Sequence, residues 1–230
     1  MRDRNVRTRV IGTAVSVALF ALLVRAIVAL PAATSGLAPE MRSGAEAIEI
    51  KNVVTAVLLD FRGYDTLLEI AVLMLATVAV LAVREGPSDT AARIEERATT
   101  VLHTLTMALL PLMLLVAGHL VWIGSSAPGG AFQAGAVLGA AAIMLALSGY
   151  ARPGWVGAGA MRGVLAIGLL AFIAVALGSV TVGGALLEYP DEHRKALILF
   201  IEVLLTLSIG ASIGSLFLAS ASGVTERKRP

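Results

Sequence analysis

Cysteine is absent from this chain of 230 residues. That excludes disulfides, thiolate metal sites, iron–sulfur ligation and cysteine nucleophiles. Charge is scarce: Asp, Glu, Lys and Arg make up 15% of the residues, against about 25% in a soluble domain. Lysine occurs only at Lys51, Lys195 and Lys228, never inside a long apolar run. A complete buried Lys–Glu proton relay within this chain is therefore not expected. Aromatics are 5%, which counts against strands, where aromatic and β-branched residues are favoured. No G-x-x-x-x-G-K-[ST], H-E-x-x-H or G-x-S-x-G occurs, so no hydrolase, ATPase or metalloenzyme site is read, and no metal or cofactor is called for. The net charge is +2. Its basic clusters lie at the termini and in short loops, where membrane topology explains them and nucleic acid need not be invoked.

Apolar residues, by contrast, are abundant at 57%, with a mean hydropathy of +0.87. The fold class expected is all-α: a polytopic membrane bundle of about six transmembrane helices plus one short broken or re-entrant helix. The spans are read at Val10–Leu30, Thr66–Val83, Val101–Ile123, Ala131–Leu147, Val164–Leu187 and Ala196–Ala221. The first follows Arg2, Arg4, Arg7 and Arg9 and is longer than a signal-peptide core, so it is read as retained, with Arg25 snorkelling at its far end. Asn52–Phe61 is apolar but only about 15 Å long as a helix, half a bilayer. Asp60-Phe61-Arg62-Gly63-Tyr64-Asp65 interrupts it. Irregular backbone at depth needs protein around it, so this segment is expected at a subunit contact. Pro111 cannot donate to the Met107 carbonyl, which predicts a kink in the third span. Residues 31–51 are read as a polar loop.

The charged stretch 84–98 is the best boundary and divides the chain into modules 1–98 and 99–230. With the N-terminus inside and six spans, Arg2, Arg4, Arg7, Arg9, Arg84, Arg93, Arg97, Arg152, Arg162, Arg227, Lys228 and Arg229 fall inside. Arg42, Lys51, Arg62, Arg194 and Lys195 fall outside. That asymmetry favours both termini cytoplasmic, and a full span at Asn52–Phe61 would spoil it. Ala131, Gly135 and Gly139, and Gly210 and Gly214, repeat at four-residue spacing, a pattern that either lets helices approach closely or reflects the richness in Gly and Ala.

Glu69 and Glu202 are the candidate functional residues with the sharpest signal. A charge at mid-bilayer costs roughly 2.5–3.5 kcal/mol on insertion scales, and such residues commonly serve ion or proton transfer. The topology puts both in the outer half of the bilayer. The alternative is interfacial snorkelling or a structural hydrogen bond. Asp65 lies one turn before Glu69, so the two are candidates for an acidic pair. Asp60 and Arg62 either pair to anchor the helix break or line a cation entrance. His103 and His119, about 24 Å apart along one helix, cannot share a ligand. They read as interfacial hydrogen bonders or, failing that, as a proton relay.

Two stretches resemble known families. Residues 52–70, which carry Asn52-Val53-Val54-Thr55, Asp60-Phe61-Arg62-Gly63, Asp65-Thr66 and Glu69-Ile70, resemble a motif near the C-terminus of MrpA and in MbhE-type proteins, with Thr55 where the family often has Asn. Residues 99–221 resemble the MnhB/MrpB domain, a four-span subunit of Mrp-type Na+/H+ antiporters. The signature turn is Ser126-Ala127-Pro128-Gly129-Gly130-Ala131-Phe132-Gln133-Ala134-Gly135, with Ala at two family glycines. Glu202 is similar to the carboxylate of that family's last span.

The resemblance implies a non-catalytic subunit of a multisubunit Na+/proton antiporter in a bacterial or archaeal cell membrane. It implies partners like MrpA, MrpC, MrpD, MrpE, MrpF and MrpG, Na+ and H+ as the transported ions, and a contribution to a cation path. Two other functions remain open. One is a structural membrane subunit of a related redox-driven complex such as a membrane-bound hydrogenase. The other is a stand-alone transporter, against which the lack of an internal repeat counts.

Overall fold

The computed structural model describes residues 2–29, 39, 43–44, 50–83, 100–150, 157–181 and 184–223. The charged boundary 84–98, most of the polar loop 31–51 and the basic tail 225–230 lie outside the described residues. The chain divides into two compact units, Met1–Glu40 and Met41–Pro230. The first holds helix α1 (Arg2–Val28), with Arg25 in its last turn. Thr13–Val28 of this helix is apolar.

The second unit holds the rest. Helix α2 (Val53–Thr55) runs directly into a π-helical segment, Ala56–Phe61. Helices α3 (Gly63–Val83), α4 (Thr100–Ile123), α5 (Ala131–Leu147), α6 (Ala158–Thr181) and α7 (Arg194–Gly223) follow. Four of these, α3, α4, α6 and α7, are long and apolar enough to cross a membrane, and α5 is apolar but shorter. The described secondary structure is all helix, as the composition implies for a polytopic membrane bundle.

Helix α7 is the hub and packs against α3, α4, α5 and α6. Ile198, Ile201, Leu205 and Ile209 of α7 meet Phe172, Ala176, Ile70 and Leu59 in one buried cluster. The α5–α7 contact is the closest. A Cβ added at Gly135 would stand 2.7 Å from Ile209, and one at Gly139 would stand 2.7 Å from Ile213. From the other side, a Cβ at Gly210 would meet Leu138 at 2.8 Å. The four-residue glycine spacing is thus a packing surface. Between α6 and α7, the Ser208 hydroxyl donates to the Leu165 carbonyl at 2.6 Å, beside Gly168, whose added Cβ would stand 2.9 Å from Ser208.

Helix α5 starts and stops where the sequence places it. Helix α4 passes unbroken through Pro111. Helix α6 is the displaced one: expected at Val164–Leu187, it occupies Ala158–Thr181. Its true start is rich in Gly and Ala, apolar enough to enter the span. Its end is set by Ser179, whose hydroxyl lies within hydrogen-bond distance of the Ala176 and Ala185 carbonyls and accepts from the Leu187 N–H. Leu187 itself has φ +65, a turn conformation that no helix continues. Hydropathy counts residues 182–187 as span because they are apolar, but Leu187 and its neighbours belong to the turn.

These contacts predict a contrast between two glycines. Gly139→Val should destabilise the chain by about 1–3 kcal/mol through overpacking. Gly163→Ala, whose Cβ meets nothing within 4 Å, should be neutral or stabilising by up to about 1 kcal/mol. Thermal unfolding in detergent, followed by circular dichroism, distinguishes them.

Candidate functional site

The site is built from the turn between α4 and α5. Helix α5 has 17 residues, about 25 Å at 1.5 Å per residue, less than the roughly 30 Å of a bilayer core. The turn 124–130 takes up the difference by folding inward. The Gly130 N–H donates back to the Leu120 carbonyl at 2.8 Å, and Ser126 and Ala127 both donate to Ile123. Gly130 has φ +106 and caps α5 without a side chain. That backbone favours glycine.

Glu202 supplies what the cap lacks. It lies on α7, about two turns from the start of the helix, and is 3% exposed. The Ala131 N–H, the first of α5, donates to its carboxylate. The N-terminal end of α5 thus faces the carboxylate with a peptide donor that the helix leaves free and with the positive end of its dipole. The fit is close: an added Cβ would stand 2.7 Å from Glu202 Oε1 at Gly130, and at Gly124 it would stand 2.9 Å from the Gly130 Cα and 3.1 Å from Glu202 Oε1.

The short broken helix closes the site from the other side. Asn52 bonds the turn through three donors: its N–H to Ser125 O at 3.1 Å, and its Nδ2 to Gly124 O at 2.7 Å and Ala127 O at 2.8 Å. Its Oδ1 caps α2 by accepting from the Val54 N–H. Thr55 Oγ1 adds a bond to the Gly124 carbonyl at 2.6 Å. The π-helical stretch is closed by Arg62 N–H to Val57 O at 2.8 Å. The Leu58 carbonyl it displaces accepts from Thr66 Oγ1 at 2.6 Å. Such π segments are frequent at functional sites. The sequence places this segment at a subunit contact. Its Ala56 and Leu59 are buried within the chain's own core, while Val54 and Phe61 are exposed.

Between these walls lies a cavity of about 330 Å³. Glu69, one turn and a half into α3, and Glu202 both line it. Thr55, Thr66, Gln133 and the backbone of Gly129, Gly130 and Ala131 complete its polar wall, and Val54, Leu58, Leu59, Phe132 and Leu205 its apolar one. Two carboxylates from distant parts of the sequence thus border one cavity, Glu202 buried and Glu69 exposed. Of the turn residues, Gly129, Gly130, Phe132 and Gln133 line the cavity. Pro128 precedes them in the turn, and Gly135 packs on Ile209 instead.

The other candidates go elsewhere. Asp60 does not pair with Arg62. It accepts from Arg194 Nη1 at 2.5 Å in a buried pair, with side chains 8% and 13% exposed. Arg194 Nη2 also reaches Asp191, at 2.5 Å, on the surface. Arg62 pairs with Asp65, which is thereby taken up apart from Glu69. Tyr189, 2% exposed, lies beside the Asp60–Arg194 pair, and its Oη has no hydrogen-bond partner among the described residues. Burial, reinforced by the charge on Asp60, pushes its phenol well above the ordinary range, with Arg194 pulling the other way. His103 stacks on Tyr150 with ring centroids 3.8 Å apart and hydrogen-bonds to it. His119 is exposed on α4. Neither histidine lines the cavity.

Sequence reasoning missed Asn52, Thr66, Gly124 and Arg194 as site builders. Asn52 carries the usual helix-start signal, an Asn before an apolar run. Nothing local reveals that its amide reaches a turn 72 residues away.

Residues 101–221 match a family described as a domain related to the MnhB subunit of Na+/H+ antiporter. Residues 3–97 match the MbhE family, described as a subunit of MBH. No curated protein matches the chain. Among solved structures, a chain of the Mrp complex from Dietzia sp. DQ12-45-1b is similar at 22% identity and a TM-score of 0.69. The match covers 96% of this chain and 26% of that one, so this chain spans about a quarter of that relative. A chain of the membrane-bound sulfane sulfur reductase, an archaeal respiratory membrane complex, is similar at 21% identity and a TM-score of 0.68, over 93% of this chain and 97% of that one. At these identities the likeness is one of fold.

The ion pair behind the cavity gives a stability prediction. Arg194→Met leaves Asp60 buried and unpaired and should cost about 3–5 kcal/mol, most of it recovered in the Arg194→Met/Asp60→Leu double variant. Asp191→Asn, at a side chain that is 95% exposed, should cost less than about 1 kcal/mol. A double-mutant cycle on the unfolding midpoint measures both.

Proposed function

This chain belongs to the family of domains related to the MnhB subunit of Na+/H+ antiporter, and we propose that it acts as a non-catalytic membrane subunit of a multisubunit cation/proton antiporter. The observation that carries this reading is the shared cavity of Glu69 and Glu202. A carboxylate holds a proton or a metal cation, not both. Two of them in a largely apolar cavity supply the competition that couples opposite fluxes. Its partners are subunits like MrpA, MrpC, MrpD, MrpE, MrpF and MrpG, of which the large MrpA- and MrpD-like ones carry the principal proton channels that this lysine-poor chain lacks. The setting is a bacterial or archaeal cell membrane, with both termini cytoplasmic and the cavity in the outer half of the bilayer. The module boundary proposed at residues 98–99 is supported by one family match ending at residue 97 and the other beginning at residue 101.

A second reading has one observation in its favour. The likeness to the sulfane sulfur reductase chain runs over 97% of that chain, which supports a place in a redox-driven membrane complex. Affinity purification of the tagged chain from its own membranes separates the two. Co-purified antiporter-type subunits support the first, and subunits carrying iron–sulfur or nickel sites support the second.

Exchange measurements test the carboxylates. In inverted vesicles carrying the assembled complex, Glu202→Gln and Glu69→Gln should each lower Na+/H+ exchange by about tenfold or more, the equivalent of one lost charge-assisted interaction. Full exchange by an assembled Glu202→Gln complex would remove the carboxylate from the transport path.

A further inference from the structure

The cavity wall holds two buried hydroxyls, Thr55 and Thr66, 4% and 1% exposed. A threonine hydroxyl has one hydrogen and two lone pairs. Thr55 spends its hydrogen on the Gly124 carbonyl and Thr66 on the Leu58 carbonyl, both at 2.6 Å. What each oxygen has left is lone pairs. Any bond that either oxygen makes to a ligand in the cavity is therefore one it accepts.

That distinction separates two kinds of cargo. A proton relay needs hydroxyls free to turn their hydrogen from one neighbour to the next. These two are pinned, and the bonds that pin them also hold the π-helical segment and the α4–α5 turn in place. A hard metal cation needs the opposite: oxygen lone pairs fixed around a site with little competing hydrogen. Gln133 adds an amide. Its Oε1 lies 3.9 Å, and Glu202 Oε1 2.7 Å, from the point where a Cβ on Gly130 would stand. The two oxygens therefore converge on the same corner, which only glycine leaves open.

We propose that this cavity is a binding site for a monovalent metal cation, ligated by Glu202, Thr55, Thr66 and Gln133 oxygens, with Glu69 as the second charge in the cavity. At about 330 Å³ the cavity is far larger than a bare ion. The cation keeps part of its water, for which there is ample room. Among the described residues no group of three or more acidic, His or Cys side chains could hold a metal ion. Two carboxylates with neutral oxygens suit a single positive charge better than the carboxylate-rich shell that calcium takes. The assignment rests on the antiporter reading above and narrows it: the Thr55, Thr66 and Gln133 oxygens serve the metal cation, and the proton competes with it only at the carboxylates.

The test uses the whole complex reconstituted in proteoliposomes, with Na+ as the probe. Thr66→Val should raise the Na+ KM of exchange about tenfold, as for one lost ligand, while Thr66→Ser keeps it. Gln133→Leu should raise it in the same direction. The pH profile of exchange should stay in place in all three variants. Thr66→Val also removes the bond to Leu58, so Gln133→Leu decides if that complex fails to assemble. An unchanged Na+ KM in Gln133→Leu overturns the site, and so does a Thr66→Val variant that moves the pH profile and leaves the Na+ KM alone. Loss of exchange in Glu202→Gln alongside unchanged Na+ KM values here would leave the antiporter reading standing and remove this site.

Discussion

Glu202 carries its carboxylate two turns from the start of α7, where little water reaches. A group of that kind needs hydrogen-bond donors, and unmet polar groups in such places cost kilocalories. The donor is the first free peptide N–H of α5. Everything nearby follows from bringing that peptide to that depth. Helix α5 has to begin inside the bundle, so it is short, and the turn before it has to fold inward. Gly130 is favoured by its φ of +106, and at Gly124 an added Cβ would stand 2.9 Å from the Gly130 Cα. Gly129 is constrained separately, because an added Cβ would stand 2.5 Å from the Leu120 carbonyl. The inward turn in turn offers its own carbonyls, and Asn52 and Thr55 cover them.

Much of this is visible in the sequence for physical reasons. The apolar runs, the Pro-Gly-Gly turn and the lone carboxylates each carry a local signal, and α5 is bounded where its composition changes. The break after Phe61 is legible too, because Asp60, Arg62 and Gly63 interrupt an apolar run. Three things are not. Hydropathy reports which residues tolerate lipid, not which continue a helix, so it sets α6 too late in the chain. Charges near in sequence look like partners, yet Asp60 turns to Arg194 because the buried side chain needs a guanidinium that the exposed Arg62 cannot bring. And the placing of Glu69 and Glu202 on one cavity is a tertiary event. One carboxylate signal repeated twice says nothing about whether the two face the same space.

The end of the bundle where α7 begins stands in contrast to the cavity. There the Asp60–Arg194–Asp191 chain of charges ties the π-helical segment to the first residue of α7, and Tyr189 is buried next to it with its hydroxyl unmatched among the described residues. This end spends polar groups on holding two elements together. The cavity end holds its walls with backbone carbonyls and leaves side-chain oxygens facing space. Two polar clusters thus do different work, one binding elements and one lining a space, and sequence composition alone does not distinguish them.

Asn52 and the turn it grips lie in stretches matched by two different families, MbhE and the MnhB-related domain. On separate polypeptides, the bonds between them would form at the mercy of two expression levels and a two-dimensional search through lipid. Carried on one polypeptide they meet at an effective concentration set by the tether, commonly millimolar for short flexible connections. Closing the cavity becomes a first-order step, independent of how much of either half the cell makes.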